Sequence, residues 1–246
     1  MKKIAMFVEG QTEQIFATEL IKWIFDRRKI AIESLQFSGK IGSRKMAIIK
    51  STKTMHNAEE TAYYFRIYDC HGGGENSTVK SDIIEQITNL SREGFSGIIG
   101  IRDVYPTTDI ELLRKMLGFG IPQTAIPIKI VLAVQEIEAW FIAENKHYER
   151  VCPMLTVKVA NSVAGIDVCK DSTEVLPHPA ETLNNIYHKA GYAYRKRRCQ
   201  IERTVEALDY ENLYFNVRSR NNSLNELLIC LENIIVPVEF TKLPNL

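Results

Sequence analysis

The sequence predicts an α/β fold: a mostly parallel sheet flanked by helices, followed by a C-terminal helical appendage. Three observations carry this expectation. Short apolar runs at residues 4–8 (IAMFV), 97–101 (GIIGI) and 127–134 (PIKIVLAV, broken only by Lys129) have strand length. Such runs suit strands buried on both faces, as in parallel sheets. Segments of helical period separate them, which is the alternation of an α/β domain. After about residue 145 no strand-like run remains.

Each element has its own signal. Run 4–8 is broken by Glu9-Gly10-Gln11-Thr12; Ile15, Phe16, Leu20, Ile21, Trp23 and Ile24 then recur at helical spacing. A second strand is expected at 31–37, with a loop at 39–43. Residues 63–69 (YYFRIYD) are β-branched and aromatic and form a third strand. The loop CHGGGENS ends that strand. Helix 78–92 places Val79, Ile83, Ile84, Ile87 and Leu90 on one face. Strand 97–101 finishes at Arg102-Asp103, and a helix after Pro106 runs through Leu112, Leu113 and Met116 to Gly118. Strand 127–134 leads into QEIEAWF, which turns helical. Helices are then expected at 180–190, 194–208 and 223–235, with VPVEFTKLPNL as a loose tail. The division is an α/β domain at 1–145 and a helical appendage with its tail at 146–246.

Composition narrows the function classes. With 31 basic and 30 acidic residues among 246, the net charge is +1, which excludes a histone-like binder held by global charge. Five scattered cysteines without a CxxC pair argue against zinc and for reduced thiols. The N-terminal MKKIAMFVEGQ is apolar for only five residues, too short for a signal peptide. No run approaches the ~18 apolar residues of a membrane span. The expectation is a soluble, cytoplasmic protein.

The chemistry concentrates at strand ends. In an open α/β sheet, ligands bind beyond the carboxyl ends of the strands. Run 4–8 ends at Glu9, run 97–101 at Asp103, and run 127–134 at Glu136 and Glu138. Parallel strands bring these acids to one rim, where they repel unless something positive sits among them. A hard cation such as Mg²⁺ or Mn²⁺ answers that need with oxygen ligands. It can also activate water and stabilise charge on a phosphate. Glu13, in the first turn of the helix that follows, joins the set. It also fits a simpler role as an N-terminal dipole or capping residue.

VEGQTEQIF, IIGIRDVYP and VQEIEAWFIAE together resemble Toprim-type phosphoryl-transfer proteins. The resemblance covers roughly residues 3–145 and extends to small bacterial Toprim-like proteins related to the nuclease part of the overcoming-lysogenization-defect family. It implies a Toprim fold, a divalent metal and nucleic-acid cleavage. On the motif, Glu9 matches the first glutamate, Glu13 the second glutamate of ExxxE, and Asp103 the first aspartate of DxD. The second aspartate of DxD is Tyr105 here. Asp109, Glu136 or Glu138 can stand in for it, and the change favours one ion, or an ion that arrives with substrate.

Other features have weaker meaning. Three glycines and His71 in CHGGGENS lack the Lys-Ser/Thr of a phosphate-binding P-loop and read as a surface loop. The segment KAGYAYRKRRCQIER gathers Lys189, Arg195, Lys196, Arg197, Arg198 and Arg203 beside Tyr192 and Tyr194. It fits phosphate contact and base stacking, and equally a solvated, ion-paired helix face.

The expected function is therefore a metal-dependent Toprim-type endonuclease acting on RNA or DNA. Glu9 and Asp103 are its catalytic residues. Glu9, Glu13, Asp103, Glu136 and Glu138 are the metal set, and Lys189, Arg195, Lys196, Arg197 and Arg198 grip nucleic acid. The resemblance adds the role of toxic effector in anti-phage defence under an ABC-type ATPase partner. It leaves self-association open. The alternative is a catalytically decayed scaffold that binds the ATPase or nucleic acid.

Overall fold

The computed structural model describes residues 1–25, 29–38, 47–55, 61–70, 78–105 and 109–235. Six strands form one sheet: β1 (Lys2–Val8), β2 (Ile30–Ser38), β3 (Ala47–Met55), β4 (Tyr63–Asp69), β5 (Gly97–Asp103) and β6 (Ile128–Ala133). Their spatial order is β3-β2-β4-β1-β5-β6. The pairs β2–β4, β4–β1, β1–β5 and β5–β6 are parallel, and only β3 runs antiparallel, on β2. The expected mostly parallel sheet is thus five parallel strands plus one antiparallel edge.

Ten helices accompany the sheet among the described residues. They are α1 (Gln11–Ile24), α2 (Val79–Arg92), α3 (Ile110–Gly118), α4 (Glu138–Ala143), α5 (His147–Val151), α6 (Val157–Ala164), α7 (Pro179–His188), α8 (Arg198–Ala207), α9 (Tyr210–Phe215) and α10 (Asn222–Ile235). Strand alternation assigns them to faces, because successive side chains point to opposite sides. Ile4, Met6 and Val8 of β1 pack with Phe16 and Leu20 of α1 in one apolar cluster. That cluster continues through Trp140, Tyr187, Ile201 and Leu228. Ala5 and Phe7 face the other way, onto Val79, Ile83 and Leu90 of α2. The helices after residue 145 therefore share a core with the sheet's α1 face. On the α2 face, a Cβ at Gly100 would lie 3.1 Å from both Val79 Cγ1 and Ile130 Cγ1, so glycine lets α2 approach β5 closely.

Several elements differ from expectation. Strand β3 was not predicted, since the KSTKT half of AIIKSTKTM carries little apolar signal; an edge strand needs less of it. Short helices α5, α6 and α9 also fall below what periodicity resolves. The helix expected from residue 194 starts at Arg198. Ahead of it, Lys196 adopts a left-handed φ of 52°, and the Arg195 N–H donates to Gln200 Oε1 at 2.6 Å. The 39–43 loop, His71 and its glycines, and VPVEFTKLPNL lie outside the described residues. None of the described helices is long and apolar enough to cross a membrane.

Candidate metal centre

Parallel pairing decides which acids meet. Val8 of β1 pairs with Ile101 of β5, and Asp103 of β5 pairs with Ala133 of β6. The residues just beyond these strands consequently share one rim. Glu9 is buried there, and its Oε2 accepts the Asp103 backbone N–H at 3.1 Å. Asp103 Oδ1 in turn accepts the Ile137 N–H at 3.1 Å, fixing the link from β6 into α4. One oxygen from each of Asp103, Glu136 and Glu138 lies within 4.8 Å of the other two. Glu9 and Glu13 border this trio without belonging to that mutual set.

Glu13 enters from α1. Gly10 stands at the N-cap position with extended backbone, and Glu13 follows in the first turn, buried. A Cβ at residue 10 would reach 3.4 Å from Glu13 Oε2. Burial, then the Glu138 charge, raises the Glu13 carboxyl from 4.5 to about 7, with Lys196 opposing and Glu9 adding to the rise. Asp103 is pushed well above its ordinary value, by burial first and then by Glu13 and Glu138. Glu138 rises for the same leading reason, with Lys196 opposing. Both effects disfavour a fully ionised rim.

One cation is built in. Lys196 Nζ lies 2.9 Å from Glu136 Oε1 and 3.2 Å from Glu138 Oε2. Burial lowers the proton affinity of this amine, yet Glu138 and Glu136 outweigh burial and hold it protonated. The second oxygen of Glu136 accepts the Ala180 N–H at 3.0 Å, one of the unsatisfied donors at the α7 N-terminus. Glu138 is fully buried, and its Oε1 accepts the Tyr194 hydroxyl at 2.9 Å. Its Oε2 receives no aligned hydrogen bond, despite the nearby ammonium. Among the described residues, two that are not glycine carry left-handed backbone, Gln135 (φ 64°) and Lys196. Gln135 directly precedes Glu136, and Lys196 pairs with it, a placement of strain common at functional sites.

The remaining sequence candidates disperse. Asp109 caps α3, accepting from the Leu112 N–H, and Tyr105 is exposed, with its ring edge-on to His178. In the basic segment, Arg198 pairs with Glu202 at 2.7 Å, and Arg203 packs over Tyr187 and Tyr192. Lys189, Arg195 and Arg197 are exposed and make no ion pair among the described residues. Lys196, though part-exposed, differs from these neighbours in pairing with Glu136 and Glu138.

Two partners of the rim escaped the sequence. Asp69, buried, ends β4 directly beside Val8 of β1; its position as the last residue of YYFRIYD was the available signal. Tyr194, expected to stack on bases, is instead buried, and its contact with Glu138 spans 56 residues, which no local signal marks. In comparisons with protein-family models, curated proteins and solved structures, nothing matches the chain.

Proposed function

We propose that this chain is a metal-dependent nuclease with a Toprim-like core, hydrolysing phosphodiester bonds in RNA or DNA. The single observation behind this reading is the meeting of Asp103, Glu136 and Glu138 at the carboxyl ends of parallel strands, with Glu9 hydrogen-bonded alongside. The donor set fits a hard divalent cation. All the donors are carboxylate oxygens, one of them buried without a hydrogen bond. Oxygens on Mg²⁺ stand about 4 Å apart when opposite and about 3 Å when adjacent, so the trio, within 4.8 Å of one another, would have to draw in to share an ion.

Asp103, Glu136 and Glu138 would hold Mg²⁺ or Mn²⁺. When bound, such an ion supplies Lewis-acid polarisation of a phosphoryl oxygen and an acidified water. Glu9, held by the Asp103 N–H, orients water or takes its proton. Glu13, buried at the edge of the trio, adds a further carboxylate beside the ion. The exposed Lys189, Arg195 and Arg197 supply phosphate contacts. By the family resemblance, the activity belongs to an anti-phage effector controlled by an ABC-type ATPase.

Lys196 favours a second reading. Its ammonium already neutralises the trio, as it would in a scaffold that binds nucleic acid or the ATPase without cleaving. Incubation of the purified protein with Mn²⁺ or Mg²⁺ and mixed RNA and DNA separates the two. Cleavage that stops with chelator and in Asp103→Asn supports the nuclease; oligonucleotide binding without cleavage supports the scaffold.

A further inference from the structure

A groove of about 260 Å³ runs between α1, β2 and α8. Its lining adjoins the carboxylate rim along the chain on two walls. Gln11 directly follows Glu9 and Gly10, and Arg198 stands two residues after Lys196. From Gln11 to Lys22 the groove tracks α1 for about 16 Å.

Its lining is polar but not phosphate-seeking. Gln11, Gln14, Ser34 and Gln36 are half-buried, and their side chains make no hydrogen bond among the described residues. Each amide offers both donors and an acceptor. The cations present are already answered: Lys22 pairs with Glu19 at 2.6 Å and Arg198 with Glu202 at 2.7 Å, while Glu206 adds a further negative charge. A phosphate gains little there. An uncharged ring with donors and acceptors on its edge fits the amides, and Ile15 and Ile32 offer its face an apolar floor.

We propose that this groove receives an unpaired base of a nucleic-acid strand whose phosphate lies at the carboxylate rim, and reads that base through Gln11, Gln14 and Gln36. This inference rests on the nuclease reading and adds its substrate class: single-stranded nucleic acid with a preferred base beside the scissile bond. Unstacked bases are read in this way by hydrogen bonds to their edges.

The test uses fluorescent twelve-nucleotide homopolymers of adenine, cytosine and uracil or thymine, as RNA and as DNA. Binding is followed by anisotropy in chelator, so that no cleavage intervenes. The full chain should bind one base about tenfold more tightly than the others. The Gln14→Ala/Gln36→Ala variant should lose that preference while keeping its melting temperature and its Mn²⁺ binding by calorimetry. The RNA and DNA arms identify the sugar. Equal affinity for all bases, no binding to any oligomer, or a preference that survives the double substitution overturns the proposal. If the alanine variant melts early, Gln14→Glu keeps the side-chain size, and an unchanged preference in that variant counts equally against it. Failure of the nuclease reading looks different: Mn²⁺ does not bind and no nucleic acid is cut, whatever the base preference.

Discussion

The backbone N–H of Asp103 donates to Glu9 Oε2 at 3.1 Å, joining two strand ends that are 94 residues apart in sequence. One carboxylate is thereby held by the backbone of the residue carrying another. The bond orients Glu9 without consuming the Asp103 side chain, whose Oδ1 accepts the Ile137 N–H and which faces Glu136 and Glu138.

Removal of either partner has a distinct outcome. Glu9→Ala should lower cleavage by about 10²–10⁴-fold, the usual contribution of positioned acid–base groups, with an unchanged circular dichroism spectrum. Asp103→Asn should abolish Mn²⁺ binding as well. A Glu9→Ala protein that cleaves at the wild-type rate removes Glu9 from the mechanism.

The rim also predicts a pH dependence. Glu13 binds its proton more tightly in the folded state than in the unfolded chain, since its carboxyl rises from 4.5 to about 7. The resulting stabilisation is complete below about pH 4.5 and is lost as pH rises through 7. Glu144 behaves oppositely: burial raises it, but hydrogen bonds from His147 and Asn212 hold it below 4.5, so its contribution fades only in acid. Between pH 5 and 8, ion-free protein should therefore lose stability. Glu13→Gln should remove on the order of 2 kcal/mol of that loss, as measured by urea unfolding at both pH values.

Lys196 competes with any added cation for Glu136 and Glu138. Lys196→Met should strengthen Mn²⁺ binding by about tenfold in calorimetry. Without metal it should lower the melting temperature by about 2–4 °C, a modest cost because the Lys196 side chain is 39% exposed and its charge is screened. Unchanged Mn²⁺ affinity would mean that the ion sits elsewhere.

Gly100→Ala tests packing away from the rim. The added Cβ meets Val79 and Ile130 at 3.1 Å and Ile83 at 3.3 Å, and overpacking of this kind costs about 1–3 kcal/mol. Thermal melting should fall by several degrees while Mn²⁺ binding at the rim persists.

Much of this arrangement was legible beforehand because local signals and topology agreed. Apolar runs ending in acid marked Glu9, Asp103, Glu136 and Glu138, and parallel pairing does the rest. Asp69, the acid that ends β4, obeys the same rule. Lys196 could not be placed: within RKRR it is one basic residue among several, and only its left-handed backbone and the fold of α7 turn it toward Glu136. The α8 boundary failed for the same reason, as helical periodicity continues through a stretch whose backbone is diverted to serve the rim. Tyr194 and the Ala180 cap on Glu136 are likewise tertiary, and no spacing in the sequence encodes them.

The carboxylates and their counter-ion are made at different times. Glu9, Glu13, Asp103, Glu136 and Glu138 all precede Lys196, which follows Glu136 by 60 residues. At about 5–20 residues per second, a ribosome needs roughly 3–12 s to cross that interval. Until then the nascent chain carries an unbalanced acidic edge and a sheet face whose helical cover is still untranslated. A cell producing this protein would thus hold an incomplete centre throughout most of synthesis, and a chain stalled before residue 196 could not assemble the neutralised rim.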